Sequence, residues 1–342
     1  MKKHSIRKWA ALGLALCLCL SLLAGCGSKG GNTSAAASAS AGESVTPGSF
    51  KIAALKGPTA MGLVKLMSDS DAGKTDNQYT FSIAASADEI TPALIKGDLD
   101  MACVPANLAS VLYNKTQGAV EVLAVNTLGV LYVVENGNAV NSIADLKGKT
   151  IVAAGKGSTP EYALRYLLQQ NGLNPDSDVV IDWKSEHTEC VAALASGAAT
   201  IALLPQPFVT VAQSKLPDLR VALDLNKEWT ALNNGSSLIT GVIVARKEVV
   251  DANPGAVDAF LSDYAASVDW VNANVADAAK LVGSYDIVDA AVAEKALPAC
   301  NIVCITGSDM KSALGGYLEV LNEQNAQSVG GKLPGDDFYY GA

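Results

Sequence analysis

Apolar and polar positions along the body of the chain fall into a repeating order, a short β-type run followed by a helical pattern. "FKIAALK" is followed by "TAMGLVKLM", "YTFSIAA" by "TPALIKG", and "DMACV" by "ANLASVLYN". Two strand-like runs then stand back to back, "AVEVLAV" and "GVLYVVE". The alternation restarts with "TIVAAG" and "PEYALRYLLQQNG", "DVVIDW" and "HTECVAALASG", "TIALL" and "PFVTVAQSK", then "LRVALDL". Such alternation predicts βαβ units around largely parallel sheets. After "LITGVIVAR" the pattern is mostly helical, with "GAVDAFLSDYAASVDWVNAN" the clearest amphipathic stretch, until "CNIVCIT" and a last helix in "SDMKSALGGYLEVLNEQN".

One figure occurs twice. "IAALKGPT" at Ile52–Thr59 and "VAAGKGST" at Val152–Thr159 each place two Ala behind a β-branched residue, then Lys-Gly, then Thr two positions on. Two βα series opening on the same figure predict two similar α/β lobes. The return strand "LITGVIVARKEVVDANP" sends the C-terminal third back to the first lobe. The predicted division is 50–133 with 240–342 for lobe 1 and 134–239 for lobe 2. The chain would cross near Gly129–Glu135 and again near Leu238–Ala245.

The N-terminal end carries a different message. Lys2, Lys3, Arg7 and Lys8 precede an apolar run from Ala10 to Leu23. That is the layout of a signal peptide, and the run is too short to span a bilayer. The "LAGC" that follows resembles the bacterial lipobox, which implies cleavage after residue 25 and lipidation of Cys26. Residues 26–49 are then a Gly/Ser/Ala-rich flexible linker, too poor in large apolar side chains to fold. The expected location is extracytoplasmic, with the lipid on Cys26 as the membrane tether.

Charge and cysteine counts narrow the function. Loss of the signal's four basic residues takes the formal charge from −9 to −13, the wrong sign for a nucleic-acid partner. Cys103, Cys190, Cys300 and Cys304 are read as free thiols. Cys300 and Cys304 flank a strand and lie too far apart for a disulfide. Beyond the signal there is one histidine, His187, and no CxxC pair. A zinc site built on several His is excluded, no metal or cofactor is expected, and His187 reads as a surface residue at a helix start. The Lys-Gly figure is no Walker motif, because Gly157 and not Ser or Thr follows Lys156.

"NSIADLKGKTIVAAGKGSTPEYALRYLLQQNGL", "IKGDLDMACVPANLASVLYN" and "IALLPQPFVTVA" resemble the type II extracytoplasmic solute-binding proteins of ABC importers. The resemblance is to the group that binds thiamine-pyrimidine precursors, alkanesulfonates, taurine and nitrate, and with the lipobox it covers essentially the whole chain. It implies an α/β fold of two lobes, each a mainly parallel sheet flanked by helices, joined by two hinge crossings. It also implies a monomer whose partners are a small-molecule solute and the ABC permease subunits. An enzyme of pyrimidine-precursor type on the same fold, or a ligand-sensing surface lipoprotein, are the alternatives. The enzyme would be expected to need several His and a Cys cluster.

The doubled figure then has a physical use. Loops at strand carboxyl ends gather around ligands in α/β sheets, and helix N-termini present unpaired N–H groups. The expected ligand contacts are Thr59 with the amides of Ala60 and Met61 in the first grip, and Ser158, Thr159 and Glu161 in the second. Either Thr159 caps with Pro160 at the first helical position, or Ser158 caps with Glu161 closing a box. Ser86 and Asp88, Pro105, Ala106 and Asn107, Thr127, and Gln206 stand at later strand ends. Similar proteins often carry Glu where Gln206 stands, which counts against a cationic ligand. The same positions also read as ordinary loop and cap residues. Tyr162 and Trp229 could stack on a flat ligand or fill the core.

Overall fold

The structure is a computed structural model that describes residues 46–342. The signal peptide, Cys26 and most of the linker lie outside the described residues. From its first strand the chain runs β1 (Ser49–Leu55), α1 (Pro58–Met61), α2 (Val64–Asp71), β2 (Gln78–Ala84), α3 (Ala87–Lys96), β3 (Met101–Pro105), α4 (Ala106–Lys115) and β4 (Val120–Leu128). Eight of the nine β4 residues are buried, as a strand covered on both faces requires. In β2 alternate residues are exposed, which suits its place at a sheet edge.

Only Gly129 and Val130 separate β4 from β5 (Leu131–Glu135), and β5 belongs to a different sheet. The second series follows as β6 (Thr150–Ala154), α5 (Thr159–Gln170), β7 (Val180–Lys184), α6 (His187–Ala195), β8 (Ile201–Pro205), α7 (Phe208–Lys215), β9 (Arg220–Asp224) and α8 (Leu225–Ala231). The chain then returns through β10 (Ile239–Arg246), α9 (Lys247–Ala252), α10 (Pro254–Ala273), α11 (Val275–Ser284), α12 (Ala290–Ala296), β11 (Ile302–Ile305) and α13 (Gly307–Gln324).

The two sheets have matching orders, β2-β1-β3-β10-β4-β11 and β7-β6-β8-β5-β9. Four strands of each point the same way, while β10 and β5 run antiparallel to both neighbours in their respective sheets. β1 and β6 therefore hold equivalent places, each flanked by the next two strands of its own series. The doubled Ala-Ala…Lys-Gly figure is the same strand–loop–helix junction built once per sheet. The first crossing falls at Gly129–Val130, at the start of the expected stretch, because Leu131 is already paired with Pro205. The second falls at 232–238, because Ile239 is already paired with Leu128.

One buried cluster runs through both halves. It joins Val104 and Val242 of the first sheet to Ile151 and Leu203 of the second, by way of α4, α5, α8 and α13. The C-terminal tail lies on the first sheet, where Tyr340 N–H donates to the Val122 carbonyl at 3.0 Å. Cys103, Cys190, Cys300 and Cys304 are free thiols, and all but Cys304 are buried.

Candidate functional site

The loops that follow β1, β2, β3, β6, β7 and β8 converge on one cleft between the sheets, a space of about 370 Å3. The first sheet supplies Leu55–Thr59, Ala85–Asp88, Pro105 and Leu108, and the second supplies Ala154–Ser158, Pro160, Lys184–His187 and Pro205. Thr127, Val130, Leu131 and Thr240, beside the crossings, also line it. A carboxyl-end location for all six loops follows from βα connectivity, since each strand hands over to a helix on that side. The volume is toward the small end of ligand pockets, which run from about 300 to 1,000 Å3.

Of the residues expected from sequence to touch a ligand, Thr59, Ser86, Asp88, Pro105, Thr127 and Ser158 line this cleft. Each hydroxyl has a fixed role in the loop it belongs to. Thr59 Oγ1 donates to the Leu55 carbonyl at 3.0 Å, Thr127 Oγ1 to Asn126 Oδ1 at 3.0 Å, and Ser158 Oγ to the Gly155 carbonyl at 2.8 Å. Ser86 caps α3, and its Oγ donates to Glu89 Oε1 at 3.2 Å. These bonds leave the oxygen lone pairs and set the loop shapes that face the cleft.

The other expected contacts stand behind the wall. Ala60 and Met61 are fully buried, and their amides donate to the Gly57 carbonyl at 3.1 and 3.2 Å. Those N–H groups are already used in the turn. Ser158 takes the cap position of α5, but Glu161 accepts from the amide of Gly157 at 2.7 Å instead of closing a box on Ser158. Its other oxygen pairs with Arg165 at 2.9 Å. Gln206 Oε1 accepts from Thr210 Oγ1 at 2.9 Å. Asn107 and Thr159 are fully buried and bonded to each other. Tyr162 and Trp229 are outside the lining, and Trp229 is core.

The cleft also holds residues that sequence reasoning set aside. Lys56 and Lys156 stand at equivalent places in the two grips, both exposed. Lys184 pairs with Asp182 at 2.9 Å and lines the cleft with Glu186, as does the expected Asp88. His187 is the first residue of α6 and part of the wall, not a surface bystander. The signal that could have found it is the one that found the grips, a helix start directly after a strand.

The His187 ring lies 5.2 Å from that of Phe208, centroid to centroid. Its Nδ1 is sealed and has no hydrogen-bond partner, although the residue keeps some exposed surface toward the cleft. Burial penalises the charged form and pulls the pKa from 6.5 down to about 4. Between those values the unfolded chain binds a proton that the folded chain refuses. The resulting stabilisation is complete above about pH 6.5 and is lost as pH falls toward 4. Replacing His187 by Phe should flatten the melting temperature across that window, measured by calorimetry at half-unit pH steps. An unchanged slope would contradict the burial argument.

A family model described as "ABC transporter, phosphonate, periplasmic substrate-binding protein" matches residues 72–297. A putative binding protein of Brucella abortus is 26% identical over 199 residues, which cover 58% of this chain and 59% of that protein's length. Among solved structures, an ABC transporter protein from Parabacteroides distasonis superposes with a TM-score of 0.70 at 21% identity, covering 86% of this chain and 98% of that one. The alkanesulfonate-binding protein SsuA from Xanthomonas axonopodis pv. citri, bound to MOPS, gives a TM-score of 0.67 at 16% identity, covering 85% and 96%. At those identities the two structures establish a shared fold, the two-lobed type II periplasmic-binding-protein architecture. No helix among the described residues is long and apolar enough to cross a membrane.

Proposed function

The chain belongs to the family of periplasmic substrate-binding proteins of phosphonate-type ABC transporters, and from that premise we propose that it captures one small organic solute between its two lobes and delivers it to a permease. One observation carries the reading. A single cleft is walled by the matching βα loops of both sheets, so a molecule seated there touches both lobes at once. Binding energy then drives hinge closure about the two crossings and no chemistry follows. Lobe 1 comprises the first sheet with its helices, lobe 2 the second, and the lipid on Cys26 tethers a monomer to the membrane.

The wall favours a short solute with a polar or anionic head. Three lysines and two carboxylates stand in the lining, and α3, α5 and α6 begin at its edge. Helix N-termini favour negative charge. Phosphonates, sulfonates, nitrate and pyrimidine precursors compose the screen. A solute that binds the native state raises the melting temperature, by about 2.7 kcal/mol of added stability at a concentration one hundred times its Kd. Thermal scans of the purified protein against these classes should give a saturable upward shift with at least one. A flat response to every class would overturn the reading.

A further inference from the structure

Asn107 lies on α4, directly after β3 of the first sheet, and Thr159 opens α5, directly after the grip loop of the second. Both are fully buried. Thr159 Oγ1 donates to Asn107 Oδ1 at 3.3 Å. Asn107 Nδ2 in turn donates to the Gly157 carbonyl, inside the grip, at 3.4 Å and to the Ser328 carbonyl at 2.9 Å. Tyr317 of α13, also fully buried, faces the same Thr159 hydroxyl without closing a hydrogen bond to it. α13 packs against β4 and β10 of the first sheet and against α5. A polar chain therefore crosses from one lobe to the other immediately behind the loop Gly155–Ser158, inside the apolar cluster shared by both halves.

A buried polar group stays only where its partners are fixed, because losing a partner leaves it unsatisfied in a dry setting. Asn107 spends both ends of its carboxamide on positions that belong to different parts of the fold. Its oxygen and one N–H reach the second lobe, and its other bond reaches the segment 326–329. Nothing in the solute cleft needs to touch it. We infer that Asn107 and Thr159 form a cross-lobe latch, in which Asn107 is a positioning residue that holds the lobe 2 grip at a set angle to lobe 1. The latch deepens the cleft reading above and rests on it for its use, while its readout on solute-free protein is separate from whether a solute is found.

Thr159→Val keeps the side-chain shape and removes the hydroxyl, and Thr159→Ser keeps the hydroxyl. Hydrogen exchange of the solute-free chain, followed by mass spectrometry, reads each amide segment. With Thr159→Val, exchange should rise about tenfold, the effect of one buried hydrogen bond, both in 159–163 and across the lobe boundary in 106–110. The strands β1 and β6 should be unchanged, and Thr159→Ser should match the parent chain. A residue that merely starts a helix would loosen α5 alone, so a rise confined to 159–163, or no rise, overturns the latch. Asn107→Ala supplies the reciprocal arm, with faster exchange expected in 157–162 on the opposite lobe. If Asn107→Ala leaves 157–162 as in the parent chain, the latch is also overturned.

Discussion

Trp229→Ala lowers the stability of the folded chain by about 3–5 kcal/mol, the cost of emptying a large aromatic site in a packed core. Trp229 has no exposed surface. Its ring sits 4.7 Å from Tyr166 of α5 and 5.5 Å from Tyr317 of α13, centroid to centroid. Its indole N–H donates to Ser236 Oγ at 3.0 Å, just before the chain re-enters the first sheet. Alanine therefore removes the aromatic contacts and leaves the Ser236 hydroxyl without its donor. The site lies where α5, α8 and α13 meet beside the second crossing, so it cannot collapse without shifting one lobe against the other. Thermal melts should show a drop on the order of 10 °C. Trp229→Phe, which keeps most of the volume, should lose much less. A near-neutral Trp229→Ala would mean that the lobes do not depend on this shared core.

Ala85→Trp weakens solute capture severely while leaving the fold intact. Ala85 is exposed, precedes the cap of α3 and lines the cleft. Its backbone N–H donates to Glu89 Oε1 at 3.1 Å, a bond that any residue at this position keeps. An indole covers 150–250 Å2 when buried, and the available space is only about 370 Å3. Whichever solute gives the thermal shift should therefore bind roughly a hundredfold or more weaker, since its contacts with one lobe are displaced. The melting temperature without solute should stay within about a degree or two, as surface changes do. Ala85→Ser should bind as the parent does. Full binding by the Trp variant, measured by calorimetry, would place the solute elsewhere.

Much of the architecture was legible because a period-2 pattern and a helical pattern alternate without long interruptions. β1 to β11 all fall within or across the strand-like runs read from the chain. The echo between Ile52–Thr59 and Val152–Thr159 was legible as a repeat, and the matching sheet orders give its cause. α8 went unread, although Asp224 accepts from the amides of Asn226 and Lys227 as an ordinary helix cap. At seven residues it is too short for a helical period to stand out.

The site was legible only at the level of loops. Strand ends can be located from pattern alone, but which face of a helix start meets the cleft depends on tertiary packing. Thr59 and Thr159 illustrate the limit. The same letter in the same figure lines the cleft on one side and is buried against α4 on the other. His187 shows the reverse case, where a lone titratable residue looked like surface until α6 carried it to the wall and packed it on Phe208. Asn107 looked like a ligand contact because carboxamides donate and accept, and the same property makes it a tie between lobes.

A solute in this cleft is held from both sides at once. Hydrogen exchange with and without the solute that gives the largest thermal shift tests this directly. Protection should rise together in 56–59 and in 155–158, the two halves of the doubled figure, with little change on the outer helices α9 and α11. Protection of only one of those loops, or of neither while binding saturates, would contradict it.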